Sequence, residues 1–246
     1  MEDIRNRFIE KIFASAREAI GVSCITYMGK AEHQRSAMRY PDARFFVGAG
    51  DPNDPKARRV NIAPTHREIQ NTLASTPNLV LELYLTVIIQ HWFDFLSEIY
   101  EEAMRRNYFG GGDYPVPKLK VQLDPTLKDN ELYEHLIKVS VDDFDFIKAQ
   151  DKFNIVRKIL NVQVDFNSPE CQLLKVNIQV RNALQHRLGI LTEKDFSDLG
   201  SKSIEEDHGD RVVQKSVGQR VTRTEYDIEA LVNALNSLSR TLIPNT

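Results

Sequence analysis

The segment Leu79–Arg106, LVLELYLTVIIQHWFDFLSEIYEEAMRR, is the most hydrophobic in the chain and sets what the rest can fold around. Following Thr76-Pro77 and wound as a helix, it is long enough to cross a bilayer. Glu82, Gln90, His91, Asp94 and Glu98 interrupt it, however, and a carboxylate near the middle of a bilayer is costly. The segment therefore reads as a buried core or interface helix, with no membrane as a partner.

Several other segments carry helical periodicity to pack against it. In Met1–Gly21, Ile4, Phe8, Ile12, Phe13 and Ala16 form one apolar face, and the charges along it do not fit a signal peptide. Thr65–Ser75 reads as a short helix, and Asp129–Val139 and Asp142–Leu160 as two more, the second turning Phe144, Ile147, Phe153, Val156 and Ile159 or Leu160 inward. Ser168-Pro169-Glu170 supplies an N-cap, a proline at the first helical position and an acid at the positive end of the dipole. Leu173, Val176, Val180, Leu184 and Leu191 then form the expected buried stripe. Tyr226–Leu242 closes the chain with Ile228, Leu231, Leu235, Leu238 and Leu242 on one face. Before it, Arg211–Gln214 and Gln219–Thr224 flank Ser216-Val217-Gly218 and read as a β-hairpin. Residues Val22–Asn61 break the helical pattern and read as a long irregular connection, with GVSCITYMG as a short strand. The fold class expected is all-α: long antiparallel helices with a small hairpin before the last. A helical domain spans 77–246, and 1–76 is an N-terminal helix plus extension packed on it.

Composition excludes some functions. With 32 basic residues against 35 acidic ones and a formal charge of −3, no broad nucleic-acid-coating surface is expected, and any such site is a local patch. The only two cysteines, Cys24 and Cys171, are far apart and outside any CxxC pattern, which fits reduced thiols in a cytoplasmic compartment and no zinc. His91, Asp94 and Glu98 share one side of their helix but lack a securely spaced third ligand group, so a polar edge is favoured over a metal site. Gly110-Gly111-Gly112 lacks the GK[ST] of a phosphate loop. No cofactor is implied. Arg35, Arg39, Lys56, Arg58 and Arg59 are best read as a solvated basic loop.

The chemistry gathers in Val176–Ile190, VNIQVRNALQHRLGI. Asn182 and His186 are four apart and act on one object from the polar side of the helix. Arg181 leaves from a flank of Asn177, Ile178, Leu184, Gln185 and Leu188, where five donors call for a carboxylate, a phosphate or an interface. RNA cleavage without a metal needs a base for the 2′-OH, an acid for the leaving 5′ oxygen and a fixed cation for the phosphorane. Histidine suits the first two and guanidinium the third. One helix supplies one histidine, so a two-fold interface that doubles the set is sensible. The plainer alternative pairs Arg181 with a carboxylate and leaves His186 merely exposed; an acid of the apolar helix, Glu82 or Asp94, is a candidate to receive Arg181 or to position His186.

Arg181-Asn182-Ala183-Leu184-Gln185-His186 resembles the signature of HEPN domains, an arginine followed four to six residues later by a histidine with a polar residue directly after the arginine. The resemblance covers 77–246, loosely outside the hexamer. It implies a metal-independent endoribonuclease, homodimeric through the motif helix, leaving 2′,3′-cyclic phosphate and 5′-OH ends. His186 would be acid and base, Arg181 the phosphate clamp and Asn182 an orienting donor. It also implies a role as a toxin or in phage or stress defence, with an antitoxin or a nucleotidyltransferase as partner. Arg211, Lys215, Arg220 and Arg223 make the hairpin the candidate RNA-contacting arm, or else an exposed hairpin with solubilising charge. The alternatives to a nuclease are a helical module that binds RNA or protein without cutting, and a partner subunit of a nucleotidyltransferase.

Overall fold

A computed structural model describes residues 1–43, 64–116 and 129–245. Among them the chain is helical apart from one small hairpin, in the order α1 (Glu2–Arg39), α2 (His66–Ser75), α3 (Leu79–Phe109), α4 (Asp129–Asp145), α5 (Ala149–Ile159), α6 (Pro169–Arg187), α7 (Glu193–Leu199), β1 (Ile204–Asp207), β2 (Val212–Lys215) and α8 (Glu225–Leu242). The chain divides into two compact units, Met1–Arg17 with Glu82–Thr246, and Glu18–Leu81.

The larger unit is built on α3. Its Leu85, Ile88, Ile89, Trp92, Phe95, Leu96, Ile99 and Tyr100 are all buried, which is why a helix long and apolar enough to span a membrane by composition has the burial of a core helix. Phe8 stacks on Phe95 with centroids 4.4 Å apart, and Trp92 meets Phe153 edge-on at 5.4 Å, so α1, α3 and α5 share one aromatic layer. Tyr100 and Phe144 stack at 4.4 Å and bring α4 to the same helix. Residue α8 positions Ile228, Leu231, Leu235, Leu238 and Leu242 are buried as their spacing predicts, and α8 packs against α6. Buried Arg5 donates to the Ile243 carbonyl at 2.6 Å and ties the start of α1 to the end of α8.

In the smaller unit, α1 runs on through the stretch expected to be irregular. GVSCITYMG is helical, not a strand. Gly21 and Gly29 each cost a helix about 1 kcal/mol but do not stop it, whereas Pro41 disfavours helical backbone just before it, and the helix ends at Arg39. Thr65 caps α2 with a reciprocal capping box to Glu68, as the short helix there required. Arg35 pairs with Glu32 on the surface, while Lys56, Arg58 and Arg59 lie outside the described residues.

Two further expectations are corrected. Asp142–Leu160 is not one helix: α4 ends at Asp145 and α5 begins at Ala149. Phe144 and Phe153 would point about 180° apart on a continuous helix, and the break lets both reach the core. The hairpin pairs Ile204 with Lys215 through Asp207 with Val212, so its first strand lies upstream of the expected one and 219–224 is not a strand. That segment makes one isolated bridge, Arg220 to Ile190, and delivers Arg223 to the core.

Candidate active site

Helix α6 is fixed at both ends. Ser168 Oγ accepts from the Cys171 amide at 3.3 Å, with Pro169 in the first turn. At the other end Leu188 takes a left-handed backbone, φ 52°, and Gly189 follows at φ 84°, both amides folding back to the Ala183 carbonyl. A side chain at Gly189 would meet the Val221 carbonyl at 2.8 Å, so the 219–224 segment can close on it only because this residue is glycine. Val221 N then donates to Gly189 O at 2.9 Å.

The buried stripe of α6 is Cys171, Leu174, Asn177, Val180 and Ala183, rotated from the one the leucines suggest. The reason is Asn177, whose Oδ1 accepts from Arg223 Nε at 2.8 Å inside the core. Leu173, Val176 and Leu184 are left half-buried. The rotation turns Lys175, Gln179, Arg181 and Asn182 into an open cleft of about 930 Å³ whose other walls come from α3, α4, α5, the approach to α6, and Asp198 of α7.

Arg181 is half-buried in this cleft. Its Nη1 donates to Asn182 Oδ1 at 3.2 Å, its Nε is shut off from solvent with no hydrogen-bond partner, and among the described residues it makes no ion pair. Burial pushes the guanidinium below its ordinary value, and no acid is near enough to offset it. Neither acid considered for it does so. Glu82 accepts from Arg220 through both oxygens at 2.8 Å, and Asp94, although it lines the cleft, accepts from Gln90 at 2.8 Å. His186 is exposed and lies outside the cleft of its own chain. Five residues of helix turn it about 140° from Arg181, while Asn182 lies about 40° away. The structure thus joins Arg181 to Asn182, and His186 to neither by a hydrogen bond.

The hairpin arm needs correction. Arg223 is 1 % exposed and bonded to Asn177 and the Glu205 and Thr222 carbonyls, so it is a core residue and contacts no phosphate. Arg220 is committed to Glu82 and the Leu188 carbonyl, closing α6 against α3. Lys215 lies 3.4 Å from buried Glu206. Of the four, Arg211 alone is exposed and without an acid partner. His91 faces Ser15 Oγ at 3.3 Å and Glu98 pairs with Arg7, so the polar edge of α3 is engaged by α1.

Phe93, Phe166, Lys152 and Gln179 also line the cleft and were not marked as site residues. Gln179 lies three residues before Asn182 on the polar side of α6 and is legible from that spacing. Phe93 and Phe166 carry no local signal, since only packing brings α3 and the approach to α6 together. Comparison with protein-family models, curated proteins and solved structures finds no match to this chain.

Proposed function

We propose that the protein is a metal-independent endoribonuclease of the HEPN type. The observation that carries this reading is the guanidinium of Arg181, held half-buried in a cleft with spare donors and no ion-pair partner among the described residues, beside Asn182 and five residues before an exposed histidine. A buried cation without a partner is a cost to the fold unless an anion arrives, and a scissile phosphate is an anion that fits its donors. The 2′ oxygen attacks phosphorus as a histidine takes its proton. The bond from phosphorus to the 5′ oxygen breaks as a histidine supplies a proton there. The products are a 2′,3′-cyclic phosphate and a 5′-OH, and Arg181 neutralises the phosphorane between. Two chains paired through α6 would bring the His186 of one to the Arg181 of the other, the one imidazole taking the 2′ proton and returning it to the 5′ oxygen. A cytoplasmic toxin or defence effector, restrained by an antitoxin or a nucleotidyltransferase, is the role that accompanies this reading.

A second reading, a helical module that binds RNA without cutting it, is favoured by one observation: His186 does not line the cleft that holds Arg181. End-labelled RNA incubated with the protein in EDTA, beside Arg181→Ala and His186→Ala, separates the two. Cleavage by the native protein alone, leaving cyclic phosphate ends, supports the nuclease. Equal cleavage by the variants, or none of any RNA, leaves the binding module.

A further inference from the structure

We infer that the cleft takes RNA as a single strand, with one phosphate on Arg181 and one unpaired base against the rings of Phe93 and Phe166. The inference rests on the RNA reading above and adds the class of substrate.

Depth is the first argument. The Nε of Arg181 is closed off from solvent and its side chain is half-buried, so a phosphate must enter the cleft to reach it. An A-form duplex is a stiff cylinder with its backbone outside and its bases stacked within, and it cannot fold a phosphate and a base together into such a space. A single strand can. The second argument is the wall. Trp92 and Phe153 are 1 % and 5 % exposed and belong to the core, but Phe93 and Phe166 stand half-exposed in the cleft. Phe166 is preset: its ring meets Phe153 edge-on at 5.5 Å, Arg157 lies 5.2 Å from its centroid, and Gln172 Nε2 holds its carbonyl at 2.7 Å. Rings fixed before binding give a base a stacking surface at little entropic cost.

Charge is the third. Lys148, Lys152, Lys175 and Arg181 share the cleft with Asp94, Asp145 and Asp198, and the chain carries −3 overall. A site so nearly balanced cannot track a run of phosphates, so the grip must come from one phosphate and a base. The side chain of Gln179, a turn before Asn182, makes no hydrogen bond among the described residues and has both amide groups available to a base edge.

The test is fluorescence anisotropy on His186→Ala protein, which binds without turnover, using a labelled eight-nucleotide RNA alone and as a blunt duplex. The single strand should bind at least about tenfold more tightly. Phe166→Leu should weaken it roughly five- to a hundredfold, while Phe166→Tyr, which keeps the ring, should not. Against log salt, log affinity should fall with a slope of about −0.7 to −1.4, the release expected for one or two phosphates. Duplex bound as well as single strand, Phe166→Leu and Phe93→Leu both without effect, or a slope several times steeper would overturn the inference and leave the nuclease standing. Single-strand binding by a protein that never cuts would keep it and remove the nuclease. No binding of either RNA would remove both.

Discussion

Two arginines divide the labour of α6. Arg181 is desolvated and unpaired, whereas Arg223 is fully enclosed with Asn177, two carbonyls and Asp227 at 3.8 Å. Arg181→Met should therefore leave stability within about 1 kcal/mol or raise it, while abolishing the proposed RNA cleavage, because it strands no ion-pair partner and only the half-buried Asn182 amide oxygen, which faces the open cleft. Arg223→Met should cost about 3 kcal/mol by leaving Asn177 and Asp227 unanswered in the core. Urea denaturation of both variants checks the contrast, and equal losses would contradict it. Two acids respond oppositely to pH. Burial alone would raise Asp195, but hydrogen bonds from Thr192 and the Arg187 ion pair at 2.7 Å outweigh it and hold the carboxyl below its ordinary 3.8. Its contribution is complete above that value and is lost as pH falls through the lower folded one. Burial raises Glu82 above 4.5 in spite of Arg220, so Glu82 makes the fold more stable toward acid. Asp195→Asn should flatten the loss of stability below about pH 4, and Glu82→Gln should remove a gain toward acid that falls above about pH 4.5, in denaturation series from pH 7 to pH 2.

Element boundaries were legible where a local signal sets them and not where packing does. The cap at Ser168 and the leucines of α8 foretold two helices, and each side chain does what its position implies. The α4–α5 break, the stripe of α6 and the strands of the hairpin were not legible, because each answers to a distant residue: Phe153 for the first, Arg223 for the second, the inward face of Ile204 and Glu206 for the third. The candidate site divides the same way. Arg181, Asn182 and His186 stood together in sequence, but which of them share a cleft depended on the rotation of α6. Gly189 sits at the junction of the two kinds of information. With φ 84° and the Val221 carbonyl 2.8 Å from any Cβ, Gly189→Ala should cost about 2 kcal/mol by combining left-handed strain with a backbone clash. Hydrogen exchange should then show the Val221 amide, bonded to Gly189 O, losing protection before the α8 amides do. Uniform loss across both would mean the segment around Val221 is not separately held.

For the whole molecule, the decisive fact is that one chain offers Arg181 in a cleft and His186 outside it. If the reaction needs both on one phosphate, the histidine must come from a second copy, and a composite site has a consequence that a self-contained one lacks. In the proposed homodimer, Arg181→Ala and His186→Ala should each be inactive as pure dimers, because every site lacks one group. Mixed and allowed to exchange, half the dimers hold one chain of each kind. In such a dimer the intact Arg181 of one chain meets the intact His186 of the other in one of the two sites, and about a quarter of native activity per chain should return. Were both groups drawn from the same chain, no site in any mixed dimer would be whole and nothing would return. Measured as cleavage of a labelled single strand before and after subunit exchange, recovery near a quarter identifies a shared site. Its absence, with exchange verified by mass, places the chemistry within one chain and requires His186 to swing into its own cleft.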